Sequence, residues 1–204
     1  MCRSELFQLK FKTLIFAVSL VLISEVLFLI ILNHILMPIV SILILRLIQI
    51  IGLSLILKPK QLNLKQGFKT GFIWSVIFGS IALILYFSLN FAGINPLKYI
   101  KVVLPKNNLE IVLFFITAGL ISPIAEELFF RGFIYVYFRK FNFFLGLILS
   151  TTLFALPHFQ SSTFPIIPII GGIVFALSYE HSKSLIAPII IHVLGNLTIF
   201  FLSL

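Results

Sequence analysis

The sequence contains no aspartate, a single cysteine and few charged residues of either sign. All six acidic residues are Glu, so a site built from paired aspartates is excluded. The single cysteine, Cys2, allows neither an internal disulfide nor a cysteine metal cluster. Only 10% of the 204 residues are charged, against about 25% in a typical soluble domain. These deficits exclude a soluble enzyme, a disordered tail and a secreted disulfide scaffold.

Apolar residues fill the composition instead, at 60% of the chain with a mean hydropathy of +1.19. A soluble globule of this size could not bury so much apolar side chain. A membrane-spanning helix needs about 20 mostly apolar residues. We therefore predict an all-α, polytopic transmembrane helical bundle of about seven spans, with six to eight as the range. The candidate spans are residues 13–33, 35–57, 70–93, 110–138, 143–158, 164–179 and 185–204.

The basic residues flank the apolar runs and form no continuous patch, so the net charge of +9 predicts membrane orientation and no nucleic-acid partner. Cytoplasmic loops of membrane proteins are enriched in Lys and Arg. With the N-terminus inside, ten basic residues lie on the cytoplasmic side and three lie outside. The ten are Arg3, Lys10, Lys12, Lys58, Lys60, Lys65, Lys69, Arg139, Lys140 and Lys183; the three are Lys98, Lys101 and Lys106.

Ionisable residues at membrane depth are costly and are candidates for function. The fourth span holds the sharpest cluster, Glu126-Glu127-Leu-Phe-Phe-Arg131. Glu127 and Arg131 are four residues apart on one helical face, in the order that favours an ion pair. Glu126 projects about 100° away from Glu127 and has no partner within its own helix. In the first two spans, Arg46 is expected either to reach the membrane interface or to pair with Glu25.

Polar side chains on two further spans reach a similar depth. At about 1.5 Å per residue, Glu126, His158 and Asn196 each lie about 18 Å from the cytoplasmic end of their span, and His192 about 12 Å. His192 and Asn196 share one helical face because they are four residues apart. A carboxylate, two imidazoles and a carboxamide at one level predict a site that activates water.

These three segments together resemble the CAAX-protease and bacteriocin-processing (CPBP, abortive-infection) family of intramembrane endopeptidases. The family pattern is Glu-Glu-x-x-x-Arg, then Phe-x-x-x-His, then His-x-x-x-Asn or Asp. Here it is matched by Glu126-Glu127…Arg131, by Phe154…His158 and by His192…Asn196, in order and on separate spans. We accordingly divide the chain into a variable N-terminal transmembrane region of about three spans, 1–109, and a catalytic core of about four spans, 110–204.

The resemblance implies hydrolysis of a peptide bond in a membrane-associated protein or peptide, within a cavity that opens toward the cytoplasm. It implies that Glu126 is the residue that activates water. We expect His158 to hydrogen-bond Glu126 or the water, and His192 and Asn196 to donate hydrogen bonds to the oxyanion. The implied location is multi-pass insertion in the bacterial cell membrane. The substrate, the cleavage site and the oligomeric state are left open.

Two roles remain open for the other charged residues. Glu127 with Arg131 is expected to brace the helix that presents Glu126, or to help bind a substrate carboxylate.

Glu126, His158 and His192 match the three protein ligands of a catalytic zinc site. Glu126 would then be a ligand, and another base, such as Glu127, would be needed. The family has been described both as metalloproteases and as metal-free glutamate proteases, and we favour the metal-free mechanism.

Two other functional classes compete with a protease. One is a non-catalytic bacteriocin-immunity or peptide-binding membrane protein that uses the same polar cluster for binding. The other is a small transporter with a proton-linked glutamate, although no internal repeat is present. Other intramembrane protease chemistries are excluded, because the sequence lacks aspartate, the His-Glu-x-x-His zinc motif and a Gly-x-Ser-Gly segment.

Overall fold

The computed structural model describes residues 9–32, 37–57, 61–100, 102–159 and 164–204, and every regular element within these ranges is helical. Residues of the sequence predictions that lie outside them are Cys2, Arg3, Lys58, Lys60 and Lys101. The prediction of an all-α bundle of about seven helices is confirmed. The main helices are α1 Phe11–Leu27, α2 Pro38–Ile56, α3 Leu64–Phe91, α4 Asn108–Arg139, α5 Phe143–Ala155, α6 Ile166–Ser182 and α7 Ile186–Leu202.

The main helices up to and including α4, taken with their π-helical turns, are longer than the helices that follow it. Four helices are long and apolar enough to cross a membrane: Phe11–Ile30, Pro38–Ile56, Leu64–Phe91 and Asn108–Arg139. The helices α6 and α7 have 17 residues each, or about 26 Å, somewhat less than the ~30 Å hydrocarbon core. Helix α5 is extended by a 3-10 turn, Leu156–His158. The long helices make this an integral membrane protein, with shorter apolar helices completing the bundle.

Asparagine residues fix where three of the helices begin. The side chains of Asn63, Asn107 and Asn142 accept backbone N–H groups at the first turns of α3, α4 and α5, at 3.2, 2.9 and 2.7 Å. This capping satisfies N–H groups that have no partner within the helix. Helix α6 ends at Lys183, whose left-handed φ of 56° and N–H bond to the Tyr179 carbonyl close the last turn.

Most of the buried core lies in the second half of the chain, where it is joined by Ala17 of α1 and Leu53 of α2. Phe133, Tyr135, Tyr179 and Leu185 are fully buried, and the rings of Tyr135 and Tyr179 meet edge to face with centroids 5.7 Å apart. By contrast, the most apolar stretch of α3 has no buried residue. This helix therefore presents its apolar side chains to lipid, while α4, α6 and α7 form the interior.

Two glycines let α3 approach α7. A Cβ atom on Gly67 would lie 2.5 Å from Ser184 Oγ and 2.6 Å from Ile186 Cβ, and one on Gly71 would lie 3.0 Å from Ile190 Cβ. The four-residue spacing of Gly67 and Gly71 is the small-residue pattern that allows close packing of helices in membranes. This contact holds α7 in place against an otherwise lipid-exposed helix.

Polar contacts tie α1 to α2 within the membrane. Arg46 Nη1 donates to Glu25 Oε1 at 2.9 Å and to Gln49 Oε1 at 2.7 Å, and Gln49 Nε2 donates to Ser24 Oγ at 3.0 Å. Of the two expectations for Arg46, pairing with Glu25 is the one observed. Helix α2 in turn packs on the middle of α4, so the network supports the helix that carries the candidate site.

A second ionic cluster joins the ends of α4 and α6. Arg139 donates through Nε and Nη2 to the two carboxylate oxygens of Glu180, at 3.1 and 2.9 Å. Tyr135 donates its hydroxyl to the same carboxylate at 2.7 Å, and Lys183 Nζ lies 2.7 Å from it. Forked contacts of this kind fix geometry as well as charge. The register of α4 against α6 is thus set at one end of the bundle.

Candidate active site

Helix α4 presents its two adjacent carboxylates between two irregular segments. The stretches Phe115–Ile121 and Phe130–Tyr135 are π-helical, and the α-helical turns Ser122–Phe129 between them carry Glu126 and Glu127. Such wide turns shift the register of a helix and occur frequently at functional sites. They determine which side chains of α4 face α6 and α7.

The ion pair predicted between Glu127 and Arg131 is present and is completely buried. Arg131 Nη1 donates to Glu127 Oε1 at 3.0 Å, and both side chains are 0% exposed. Arg131 Nη2 also donates to the Gly172 carbonyl of α6 at 3.0 Å. Its guanidinium carbon lies 4.7 Å from the ring centroid of Phe154 and 5.2 Å from that of Phe175. Arg131 thus links α4 to α5 and α6, and substrate has no access to it.

His192 completes this buried arrangement from α7. Its Nδ1 lies 2.8 Å from Glu127 Oε1, and because a carboxylate only accepts, Nδ1 carries a hydrogen. The imidazole stacks on the Phe175 ring at 4.6 Å with an interplanar angle of 19°. Glu127 and Phe175 therefore fix both the proton and the plane of the ring, which directs Nε2 away from Glu127.

Glu126 is the accessible member of the cluster. Its Oε2 lies 3.9 Å from His192 Nε2, and its side chain is 19% exposed, while that of His192 is 6% exposed. This distance is too long for a direct hydrogen bond. The carboxylate is therefore held beside the imidazole and remains open on one side, where a water molecule or a substrate can reach it.

Asn196 lies one turn beyond His192 on α7, as the sequence predicted. Its Nδ2 donates to the backbone carbonyl of Ala118 at 3.1 Å, so one of its two N–H groups is occupied within the protein. A Cβ on Gly119 would lie 2.7 Å from Leu197 Cδ2, which shows how closely α7 approaches the first π-helical segment of α4. The other Nδ2 hydrogen remains for the site.

His158 stands apart from the other predicted site residues. It is exposed, and its Nδ1 bonds with the Phe154 carbonyl of its own turn at 3.0 Å. Of the two expected partners, Glu126 is not the one it contacts, and the bond to the attacking water stays a prediction. The Phe154 ring contacts both imidazoles, with centroids 5.2 Å from His158 and 5.5 Å from His192. With Nδ1 donating to a carbonyl, Nε2 of His158 is left to accept from a neighbour.

Comparison with known families gives a match over the segment that carries these residues. A family model described as type II CAAX prenyl endopeptidase Rce1-like matches residues 108–198. The matched segment, which is a little less than half of the chain, is similar to this family. The matched segment runs from the start of α4 through most of α7 and contains all six predicted site residues. No curated protein and no solved structure matches the chain. At the level of the family, the match supports a CAAX-type intramembrane endopeptidase.

A metal site was the open alternative for the matched segment. Across the part of the chain that the structure describes, no three His, Cys, Asp or Glu side chains are grouped so that they could hold a metal ion. The predicted ligand set Glu126, His158 and His192 does not form such a group. As placed, these residues do not fit a metal ion.

Several contributors to the candidate site were given no role by the sequence analysis. Phe175 carries the stacked imidazole, and Phe154 separates the two histidines. The carbonyls of Gly172 and Ala118 accept from Arg131 and Asn196. Phe154 could have been found, since it begins the Phe-x-x-x-His pattern. The two carbonyls give no signal in side-chain patterns.

Proposed function

We propose that the chain is an intramembrane endopeptidase that hydrolyses a peptide bond in a membrane-associated protein or peptide, of the CAAX or anchor-processing kind. The supporting observation is the chain of contacts Glu126…His192…Glu127, at 3.9 and 2.8 Å. It joins an accessible carboxylate to an imidazole of fixed orientation, inside a helix bundle. A buried structural ion pair would need only Glu127 and Arg131 and would leave Glu126 without a purpose.

Glu126 is the general base in this mechanism. Its carboxylate takes a proton from water while the water oxygen attacks the carbonyl carbon of the scissile peptide bond. The carbonyl oxygen becomes the oxyanion of the tetrahedral intermediate. When that intermediate collapses, the C–N bond breaks and Glu126 returns the proton to the leaving amine. The same carboxylate thus serves both half-steps, and no other base is required.

His192 is assigned as an oxyanion donor on the basis of charge balance. With Nδ1–H bound to Glu127, only a protonated imidazole offers a second N–H at Nε2. The buried cluster then holds two carboxylates, one guanidinium and one imidazolium, and its charges cancel. Once Glu126 has taken the proton of the attacking water, the cluster carries one positive charge, which is balanced by the oxyanion.

Asn196 supplies the second oxyanion donor through its remaining Nδ2 hydrogen, and His158 accepts from substrate or water at the exposed edge through Nε2. Glu127 and Arg131 are positioning residues, since both are fully buried. We further propose that the site opens toward the cytoplasm of a bacterial cell, as the Lys and Arg distribution predicts. The enzyme then processes substrates anchored on that side of the membrane.

The test is cleavage of a prenylated CAAX peptide and of a membrane-anchored leader peptide by the purified protein in detergent. Glu126→Gln keeps the size of the side chain and removes the base, so turnover is expected to stop while folding and peptide binding persist. Glu110→Gln is the matched control, because Glu110 lies in the first turn of the same helix, away from the cluster.

The two variants distinguish the functional classes. Loss of turnover in the Glu126 variant only, with a normal thermal midpoint in both, supports the proposal. Undiminished turnover by Glu126→Gln would refute the general-base assignment. Tight peptide binding without cleavage by the unmodified protein would indicate the non-catalytic immunity or peptide-binding function instead.

A further inference from the structure

A proline in α4 leaves one backbone carbonyl without its usual partner. In the first π-helical segment the N–H of Ser122 donates to the Thr117 carbonyl, five residues earlier. In the same register the next N–H, that of residue 123, would reach the Ala118 carbonyl. Residue 123 is proline and has no N–H. The Ala118 carbonyl is therefore available to a partner from another helix.

Asn196 is that partner, and the contact fixes the orientation of its carboxamide. A carbonyl can only accept a hydrogen bond, so Nδ2 and not Oδ1 of Asn196 must face Ala118, at 3.1 Å. The reversed carboxamide would place two acceptors against each other. Gly119 allows the approach, because any larger residue there would meet Leu197 of α7.

We propose that Pro123 is a positioning residue for the hydrolytic step, acting through the Ala118 carbonyl on Asn196. This inference rests on the proposed function. With one Nδ2 hydrogen held by Ala118, the other is directed to where the oxyanion forms. A free carboxamide would also present Oδ1, an acceptor that repels the oxyanion. Pro123 thus keeps Asn196 a donor without touching the substrate.

The first test is a double-mutant cycle on turnover with the prenylated CAAX peptide. Pro123→Ala restores an N–H that competes for the Ala118 carbonyl. We expect kcat to fall about tenfold with KM unchanged, short of the roughly 100- to 1,000-fold loss for a deleted oxyanion donor. In an Asn196→Ala background, Pro123→Ala should change kcat little. Pro168→Ala is the control, since Pro168 lies in the first turn of α6, where N–H groups lack helical partners.

The second test is a cycle on thermal stability and needs no activity. Asn196→Ala leaves the Ala118 carbonyl unpaired, so it should lower the thermal midpoint by several degrees. The loss should shrink when Pro123→Ala supplies the missing N–H. The inference would be overturned if the changes in thermal midpoint from the two substitutions simply add. It would also be overturned if Pro123→Ala lowers kcat equally with and without Asn196. If the effects of the two substitutions on the thermal midpoint are coupled but the protein cleaves no peptide, the contact is supported and the proposed function is wrong.

Discussion

Replacing Glu127 by glutamine tests how the buried cluster is held together. Glu127 Oε1 accepts from Arg131 Nη1 at 3.0 Å and from His192 Nδ1 at 2.8 Å, in a region where neither Glu127 nor Arg131 is exposed. Glutamine keeps the shape but removes the negative charge. The Arg131 guanidinium would then remain buried without its ion-pair partner, with the neutral amide oxygen of residue 127, the Gly172 carbonyl and aromatic faces around it.

Removing one partner of a buried ion pair costs about 3–5 kcal/mol. For a chain of this size, 1 kcal/mol corresponds to about 2–4 °C in the thermal midpoint, so Glu127→Gln should lower it by about 6–20 °C. Glu110→Gln, on a partly exposed position of the same helix, should stay within about 0.5 kcal/mol of the unmodified protein. The double variant Glu127→Gln/Arg131→Met should lose less than the sum of its single variants, because it leaves no lone buried charge.

The assay is thermal unfolding in one detergent, followed by circular dichroism, with peptide cleavage measured well below the transition. We expect Glu127→Gln to retain some turnover at low temperature, in contrast to Glu126→Gln. A midpoint within about 2 °C of the unmodified protein would refute the bracing role of Glu127. A stable Glu127 variant with no turnover would instead make Glu127 part of the chemistry.

Two further predictions concern the packing outside the site. Gly67→Ala should destabilise the contact between α3 and α7 by about 1–3 kcal/mol, because the new Cβ would lie 2.5 Å from Ser184 Oγ, whereas Gly79→Ala meets open space and should be neutral. Arg46→Met should lower the thermal midpoint by removing the cation that pairs with Glu25 and leaving Gln49 as a hydrogen-bond donor to its carboxylate, and Glu25→Gln/Arg46→Met should recover part of the loss. Thermal unfolding in the same detergent measures both, and equal midpoints for the two glycine variants would contradict the packing argument.

The helices were predictable because each carries a long apolar run, but their ends were not. The third span was predicted to begin at residue 70, whereas α3 begins at Leu64 directly after its Asn63 cap. Hydropathy misses the first turns because Lys65, Gln66 and Lys69 are polar. These residues extend beyond the apolar stretch while the backbone continues as a helix.

Part of the site was accessible to sequence reasoning because it rests on helical spacing. The pairing of Glu127 with Arg131 and the shared face of His192 and Asn196 follow from four-residue separations. The contact between Glu127 and His192 joins residues 65 positions apart. A similar depth in the membrane could suggest that His192 contacts a glutamate of α4, but it could not tell whether that glutamate is Glu127 or Glu126.

The remaining features depend on the backbone. The π-helical segments of α4 leave no mark in the apolar pattern, so the carbonyl that binds Asn196 could not be anticipated. From its depth and its motif, His158 was expected to hydrogen-bond Glu126 or the water. It instead caps its own 3-10 turn through the Phe154 carbonyl, a local preference that depth arguments do not include.

Hydrolysis itself is tested most directly by incubating the protein with a prenylated CAAX peptide in ¹⁸O-labelled water and measuring the masses of the products by mass spectrometry. The account predicts one ¹⁸O atom in the new C-terminal carboxylate for the unmodified protein, and intact peptide for Glu126→Gln. Intact peptide from both proteins, or labelled product from both at the same rate, would contradict it.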